Sequence, residues 1–246
     1  MDFKEYRMRI EAVLFDLFDT LLLIGNDEVY YPSCLKSLYE SISKDGVNVS
    51  FEEFSRVYFE VRDRLYSEAY KNLEEPHFNL RISQTLQKLG YSFGESDRVV
   101  VEATRAFAEE FMRYVSLDTD ALDVLQKLRG KYKLGLISNF AIPECCWKLL
   151  EKFDMRKFFN VVLISGEINR RKPCPEIFEI ALKALGVKAS RAVFVGDILD
   201  LDVMGPKSVG MKTVFIKRRP MEENWHVKPD RVITRLSDLL VVLEDC

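Results

Sequence analysis

The feature that most restricts this chain is a set of short, apolar, strand-length runs separated by segments of helical length. Residues 12–15 (Ala-Val-Leu-Phe), 133–138 (Lys-Leu-Gly-Leu-Ile-Ser), 161–164, 192–195 and 213–216 are almost free of polar interruption. Such runs bury both faces of a strand, as in the middle of a parallel sheet. Between them lie amphipathic stretches at about 119–128, 143–153, 175–185 and 202–209, three of which are followed by a glycine, at Gly130, Gly186 and Gly210. Residues 232–233 and a last helix from Ser237 finish the pattern. Strands alternating with helices predict an α/β fold with a parallel sheet covered on both faces.

The alternation is broken once, after the first strand. Gly25-Asn26-Asp27 is a turn signal, and Pro32-Ser33 starts a stretch that reads as helical as far as Val115. Within it Ser50 and Glu53 have capping-box spacing, and Phe54, Tyr58, Val61 and Leu65 repeat on one helix face. Pro76 opens a second helix, carrying Ile82, Leu86 and Leu89 up to Gly90. A third, at about 95–114, aligns Val100, Ala103, Phe107 and Phe111. These helices predict a bundle inserted at about residues 25–116.

Of 246 residues 48% are hydrophobic and 30% charged, with a net charge of −3, so neither a basic nucleic-acid footprint nor a bilayer span is expected. The amino-terminal stretch MDFKEYRMRIEA lacks the apolar core of a secretory signal, which predicts a cytoplasmic protein. Cys34, Cys145, Cys146, Cys174 and Cys246 show no zinc spacing and read as free thiols. His77 and His226 lack the setting that a catalytic triad requires.

The strand ends carry the chemistry. Asp16 follows the first strand, Ser138-Asn139 the second, and Gly196-Asp197 the fourth, with Asp202 five residues beyond Asp197. All carboxyl ends of a parallel sheet open on one edge, where such sheets place ligands. Lys172, in Arg170-Arg171-Lys172-Pro173, lies between a strand and a helix, on an edge that the sequence does not specify. Asp200 reads as a solvent-side loop residue.

In this order Asp16-Leu17-Phe18-Asp19-Thr20-Leu21, Leu136-Ile137-Ser138-Asn139, Lys172-Pro173 and Gly196-Asp197-Ile198-Leu199-Asp200-Leu201-Asp202 resemble the four motifs of the haloacid dehalogenase superfamily of aspartate-nucleophile hydrolases. The resemblance implies a Rossmann-like catalytic core at 1–24 and 117–246, and a helical cap domain at 25–116. It implies that Asp16 is the nucleophile. Mg²⁺ would be held by Asp16, the backbone carbonyl of Phe18 and Asp197, with Asp202 orienting metal-bound water or the Lys172 ammonium. Ser138, Asn139 and Lys172 would hold phosphoryl oxygens, with Phe18, Asp19 and Thr20 also counted among the substrate-binding positions. The implied substrate is a small phosphorylated molecule, taken by a monomer or homodimer.

One position departs from the family. Its phosphatases carry a second Asp two residues after the nucleophile as general acid and base, and here that residue is Phe18. Such proton transfer is worth roughly 10²- to 10⁴-fold in rate. Three readings follow. A Mg²⁺-dependent phosphohydrolase would work best on acyl or aryl phosphates, whose leaving groups need no proton. A 2-haloacid dehalogenase would release halide without metal, but dehalogenases have Ser and Asn in place of Gly196-Asp197 and an Arg early in the cap, where none precedes Arg56. A catalytically weak protein would only bind a phosphorylated ligand. Specificity is expected from the cap, with Tyr30, Tyr31, Arg56, Arg62 and Arg64 as the candidates.

Overall fold

The computed structural model describes residues 9–219 and 226–244; the amino-terminal eight residues and Cys246, on which expectations were placed, lie outside them. In chain order the strands are β1 Ala12–Phe15, β2 Leu22–Ile24, β3 Val115–Leu117, β4 Lys133–Ser138, β5 Val161–Ile164, β6 Ala192–Gly196, β7 Lys212–Ile216 and β8 Arg231–Ile233. The helices are α1 Asp27–Lys44, α2 Phe51–Asn72, α3 Phe78–Lys88, α4 Arg98–Phe111, α5 Ala121–Leu128, α6 Pro143–Lys152, α7 Ser165–Ile168, α8 Pro175–Leu185, α9 Gly205–Ser208 and α10 Asp238–Glu244.

Six strands form one parallel sheet in the order β5-β4-β1-β6-β7-β8. The α/β expectation holds, and its reason is visible in β1. Val13 and Phe15 enter one buried cluster while Ala12 and Leu14 enter another on the opposite face, so no polar residue could sit in the strand without losing its hydration. Phe15 pairs with Leu136 of β4 and Val195 of β6. From β1 the chain winds outward through β4 and β5 on one side, then crosses back to start β6 on the other. The strand order therefore reverses at β1, and a crevice opens beyond its carboxyl end.

The helical stretch leaves and returns through a two-stranded antiparallel neck, β2 with β3, in which Leu22 faces Leu117 and Ile24 faces Val115. The sequence did not announce this neck, because three-residue strands carry too little alternation to read. The first helix also starts earlier than Pro32: Asn26 caps it by accepting from the Glu28 N–H, and Pro32 lies inside α1. As the sixth residue of α1, Pro32 forgoes one backbone hydrogen bond, and the helix continues through it. Ser50 does cap α2, its Oγ accepting from the Glu53 N–H at 3.1 Å. A single buried cluster runs from Val13 and Phe15 of β1 through Leu21 and Leu35 to Phe54, Phe107 and Phe111 of the helices. Among the described residues no helix is long and apolar enough to cross a membrane.

Candidate active site

Asp16 stands one residue beyond β1, its N–H donating to the Val195 carbonyl at 2.9 Å, so the sheet's own ladder fixes its backbone. Its Oδ1 accepts from Lys172 Nζ at 2.5 Å and its Oδ2 from Thr20 Oγ1 at 3.3 Å. Lys172 is 1% exposed and also donates to Asp202 Oδ1 at 2.7 Å. The loop that the sequence could not assign thus enters the same edge. Asn139 holds it there with both ends of its side chain: Oδ1 accepts from the Lys172 N–H at 2.8 Å and Nδ2 donates to the Lys172 carbonyl at 2.9 Å. Asn139 therefore acts on the lysine loop through its side chain, a use that the sequence pattern does not show.

Asp202 does not open a helix as the sequence pattern suggests. It lies in a π-helical turn, Leu199–Met204, that precedes α9. The wider turn carries its carboxylate back over Gly196, where Oδ2 accepts from the Ile198 N–H at 3.0 Å. A Cβ at position 196 would stand 2.4 Å from the Asp202 Cγ, so only glycine leaves that path open.

Asp16, Asp197 and Asp202 each present a carboxylate oxygen within 4.8 Å of the others. Three carboxylates share this space with one ammonium. Burial pushes Asp197 up to about 8, with Asp16, Asp202 and Asp19 adding repulsion. Burial likewise pushes Asp16 up to about 6 against the opposing pull of Lys172. Burial alone would depress Lys172, but Asp16 and Asp202 hold it above its ordinary value. Hard oxygen donors in excess negative charge are the chemistry that a small divalent cation satisfies. The Ser138 Oγ, fully buried at the end of β4, has no oxygen or nitrogen partner and meets the weakly bonding Cys146 thiol. A hydroxyl left unpaired beside such a cluster fits an oxygen supplied from outside.

The side chains of Phe18 and Asp19, counted among the expected substrate-binding positions, are engaged within the fold. The Phe18 ring packs against Phe140 at 4.9 Å and Phe111 at 5.6 Å between centroids, joining the sheet edge to α4. Asp19, at φ 52°, accepts from the Ile24 N–H at Oδ1 and from Arg219 at Oδ2, which ties down the neck. Thr20 bonds the Asp16 carboxylate and is 0% exposed. Asp200 is exposed, as expected, and bonds His226. Of the specificity candidates, Arg56 is exposed, Arg62 pairs with Asp63, and Arg64 pairs with Glu68. Two arginines that the sequence reading passed over, Arg81 and Arg171, are buried instead. Arg81 had a signal: it interrupts the apolar stripe formed by Phe78, Ile82, Thr85 and Leu86 of α3. A wider groove of about 750 Å³, lined by Arg129, Lys131 and Lys133, lies at the opposite sheet edge, away from these acids.

A family model for haloacid dehalogenase-like hydrolases matches residues 10–210. The chain is 32% identical to a glyceraldehyde 3-phosphate phosphatase of Methanopyrus kandleri, covering 96% of this chain and 98% of that one. A haloacid dehalogenase-like phosphatase from Thermococcus onnurineus superposes with a TM-score of 0.67 at 27% identity, over 95% of this chain and 98% of that chain. A 2-haloacid dehalogenase from Pseudomonas syringae superposes with a TM-score of 0.77 at 24% identity, over 96% and 99% of the two chains, a likeness of fold.

Proposed function

The chain belongs to the haloacid dehalogenase-like hydrolases, and on that premise we propose that it is a Mg²⁺-dependent phosphohydrolase acting on a small phosphorylated metabolite through an aspartyl phosphate on Asp16. The observation that carries this reading is the meeting of three carboxylates around the Lys172 ammonium at the reversal point of the sheet. Full-length relatives named as phosphatases support it.

Asp16 and Asp197, with the Phe18 carbonyl, would hold the cation. When bound, it supplies positive charge against the phosphate dianion that three carboxylates would otherwise repel. Lys172 and the unpaired Ser138 hydroxyl would hold phosphoryl oxygens. An Asp16 oxygen attacks phosphorus, and the bond from phosphorus to the leaving oxygen breaks with its electron pair on that oxygen. Water then attacks the phosphorus of the aspartyl phosphate, returning the Asp16 carboxylate and free phosphate. Phe18 can neither protonate the leaving oxygen nor take a proton from that water, so acyl and aryl phosphates are the favoured substrates. Asp202 positions Lys172. The helices 25–116 would serve as the cap over this edge.

Phosphate release from acetyl phosphate tests the reading. EDTA should abolish it, Mg²⁺ should restore it, and Asp16→Asn should remove it altogether; turnover indifferent to both would sink the proposal. Phe18 is what favours the second reading, a 2-haloacid dehalogenase, since halide leaves without a proton. Halide release from 2-chloropropionate that persists in EDTA would establish that reading in place of the first.

A further inference from the structure

A cavity of about 170 Å³ lies between α3, α4 and the sheet edge, bounded by Tyr30, Phe78, Phe111, Phe140, Arg81 and Arg171. It adjoins the reactive edge at two points of the chain. Asn139, which grips Lys172, and Arg171, which precedes it, both line this cavity. A molecule whose phosphate sits on Asp16, Ser138 and Lys172 would extend its far end into this space.

The walls are mostly aromatic, yet they carry two buried guanidinium groups. Arg81 is 6% exposed and Arg171 9%. The rings of Phe78 and Tyr66 each lie 4.8 Å from the Arg81 guanidinium carbon, which fixes its plane, and its Nη1 donates to the Tyr58 hydroxyl at 3.3 Å. Arg81 Nε has no partner. Arg171 Nε meets Glu75 Oε2 at a long 3.5 Å, and its Nη1 has no partner either. Glu75 is the one carboxylate on the lining, so two cations face one anion. An unpaired donor on a buried cation is costly, and the remedy is an acceptor that carries charge.

We propose that this cavity is the subsite for a carboxylate at the end of the substrate remote from the phosphate, held by Arg81 and Arg171. The proposal rests on the phosphohydrolase reading and narrows its substrate class to small phosphorylated acids. A single negative charge matches the one uncompensated cation that two guanidinium groups leave against Glu75. A hydroxyl or aldehyde would leave the charge unmatched.

The test is calorimetric titration of Asp16→Asn protein in Mg²⁺ with 3-phosphoglycerate and with glycerol 1-phosphate, which has the same carbon chain and no carboxylate. The acid should bind about 10- to 100-fold more tightly, the worth of one or two charge-assisted hydrogen bonds. Adding Arg81→Met or Arg171→Met should bring the two affinities to within about threefold. Arg81→Lys, which keeps the charge but not the fork, should retain part of the preference and serves if the methionine variant does not fold. Equal affinities in the parent, or a preference that survives at both arginines, would overturn the subsite. Wild-type turnover of acetyl phosphate, measured alongside, separates the two ideas. Silence there with the acid preference intact removes the reaction and keeps the subsite, whereas turnover without preference removes the subsite alone.

Discussion

At the scale of single residues the site depends on how close Gly196 and Asp202 lie. Gly196→Ala would drive a methyl into the Asp202 carboxylate, which is 1% exposed and cannot swing into solvent without releasing Lys172. Overpacking of this kind costs about 1–3 kcal/mol, and the displaced lysine should lower kcat on acetyl phosphate at least about tenfold. Urea unfolding together with steady-state kinetics measures both, and a variant of wild-type stability and rate would refute the contact's importance. The crowded acids also set a pH dependence. Asp197 at about 8 and Asp16 at about 6 lie above their unfolded values near 4, so the folded chain holds the extra protons. The stability they contribute is complete below about pH 4 and is lost as pH rises through 6 and 8. Asp230, held below its ordinary value by Thr213 and Lys207 despite partial burial, titrates under that window. Thermal melts in EDTA should therefore fall between pH 5 and 8, and the stabilisation from added Mg²⁺ should grow over the same range; a gap between the curves that is independent of pH would contradict this. Asp16, Ser138 and Asp197 were legible in the sequence because a parallel sheet forces its strand ends onto one edge. Arg81 was not, since a charged residue within an apolar stripe reads as a local exception until its partners are known.

Among the elements, α2 shows how far local chemistry reaches. Its first turn is exposed, and Ser50 accepts the Glu53 N–H there without touching the site. Ser50→Ala should cost about 1 kcal/mol in urea unfolding and leave kcat on acetyl phosphate unchanged. A loss much larger than this, or a change in kcat, would show that α2 is coupled to the reactive edge more tightly than its packing indicates. The cap was readable because side chain and backbone act within one turn of each other. The π-helical turn at Leu199–Met204 was not, because its wider coil is imposed by the path of Asp202 over Gly196, a contact made after folding. The bounds of β4 Lys133–Ser138 agreed with its apolar run, since every residue from Leu134 on is buried, and those of β5 Val161–Ile164 agreed too, although in that edge strand only Ile164 is buried. The neck of β2 and β3 depends instead on pairing between residues that lie more than ninety positions apart, which no local pattern records.

At the scale of the whole molecule, the helical insert and one face of the sheet share a continuous buried cluster that passes from β1 through Leu21 and Leu35 into α2 and α4, while α8 covers the other face with a cluster of its own. Helices and sheet that share a core lose their burial together, so unfolding should be cooperative across the helical insert and the sheet. The carboxylates that would take a cation come from the ends of β1 and β6 and from the turn beyond β6, and they meet only in the folded chain. A cation bound there stabilises the fold by mass action, about 2.7 kcal/mol at a hundredfold excess over Kd. That stabilisation should reach α1–α4 although none of the three acids lies on them. Urea unfolding followed by far-UV circular dichroism, dominated by the helices, and by the fluorescence of Trp147 in α6, read in a Trp225→Phe background, should give coincident transitions, and Mg²⁺ should move both by the same amount. Asp197→Asn, which removes a charge without changing shape, should cut the Mg²⁺ shift at least by half while leaving the two probes coincident. If the helical signal melts separately, at a midpoint that Mg²⁺ does not move, then the shared core does not couple the insert to the reactive edge, and the helices would close over the site as an independent unit.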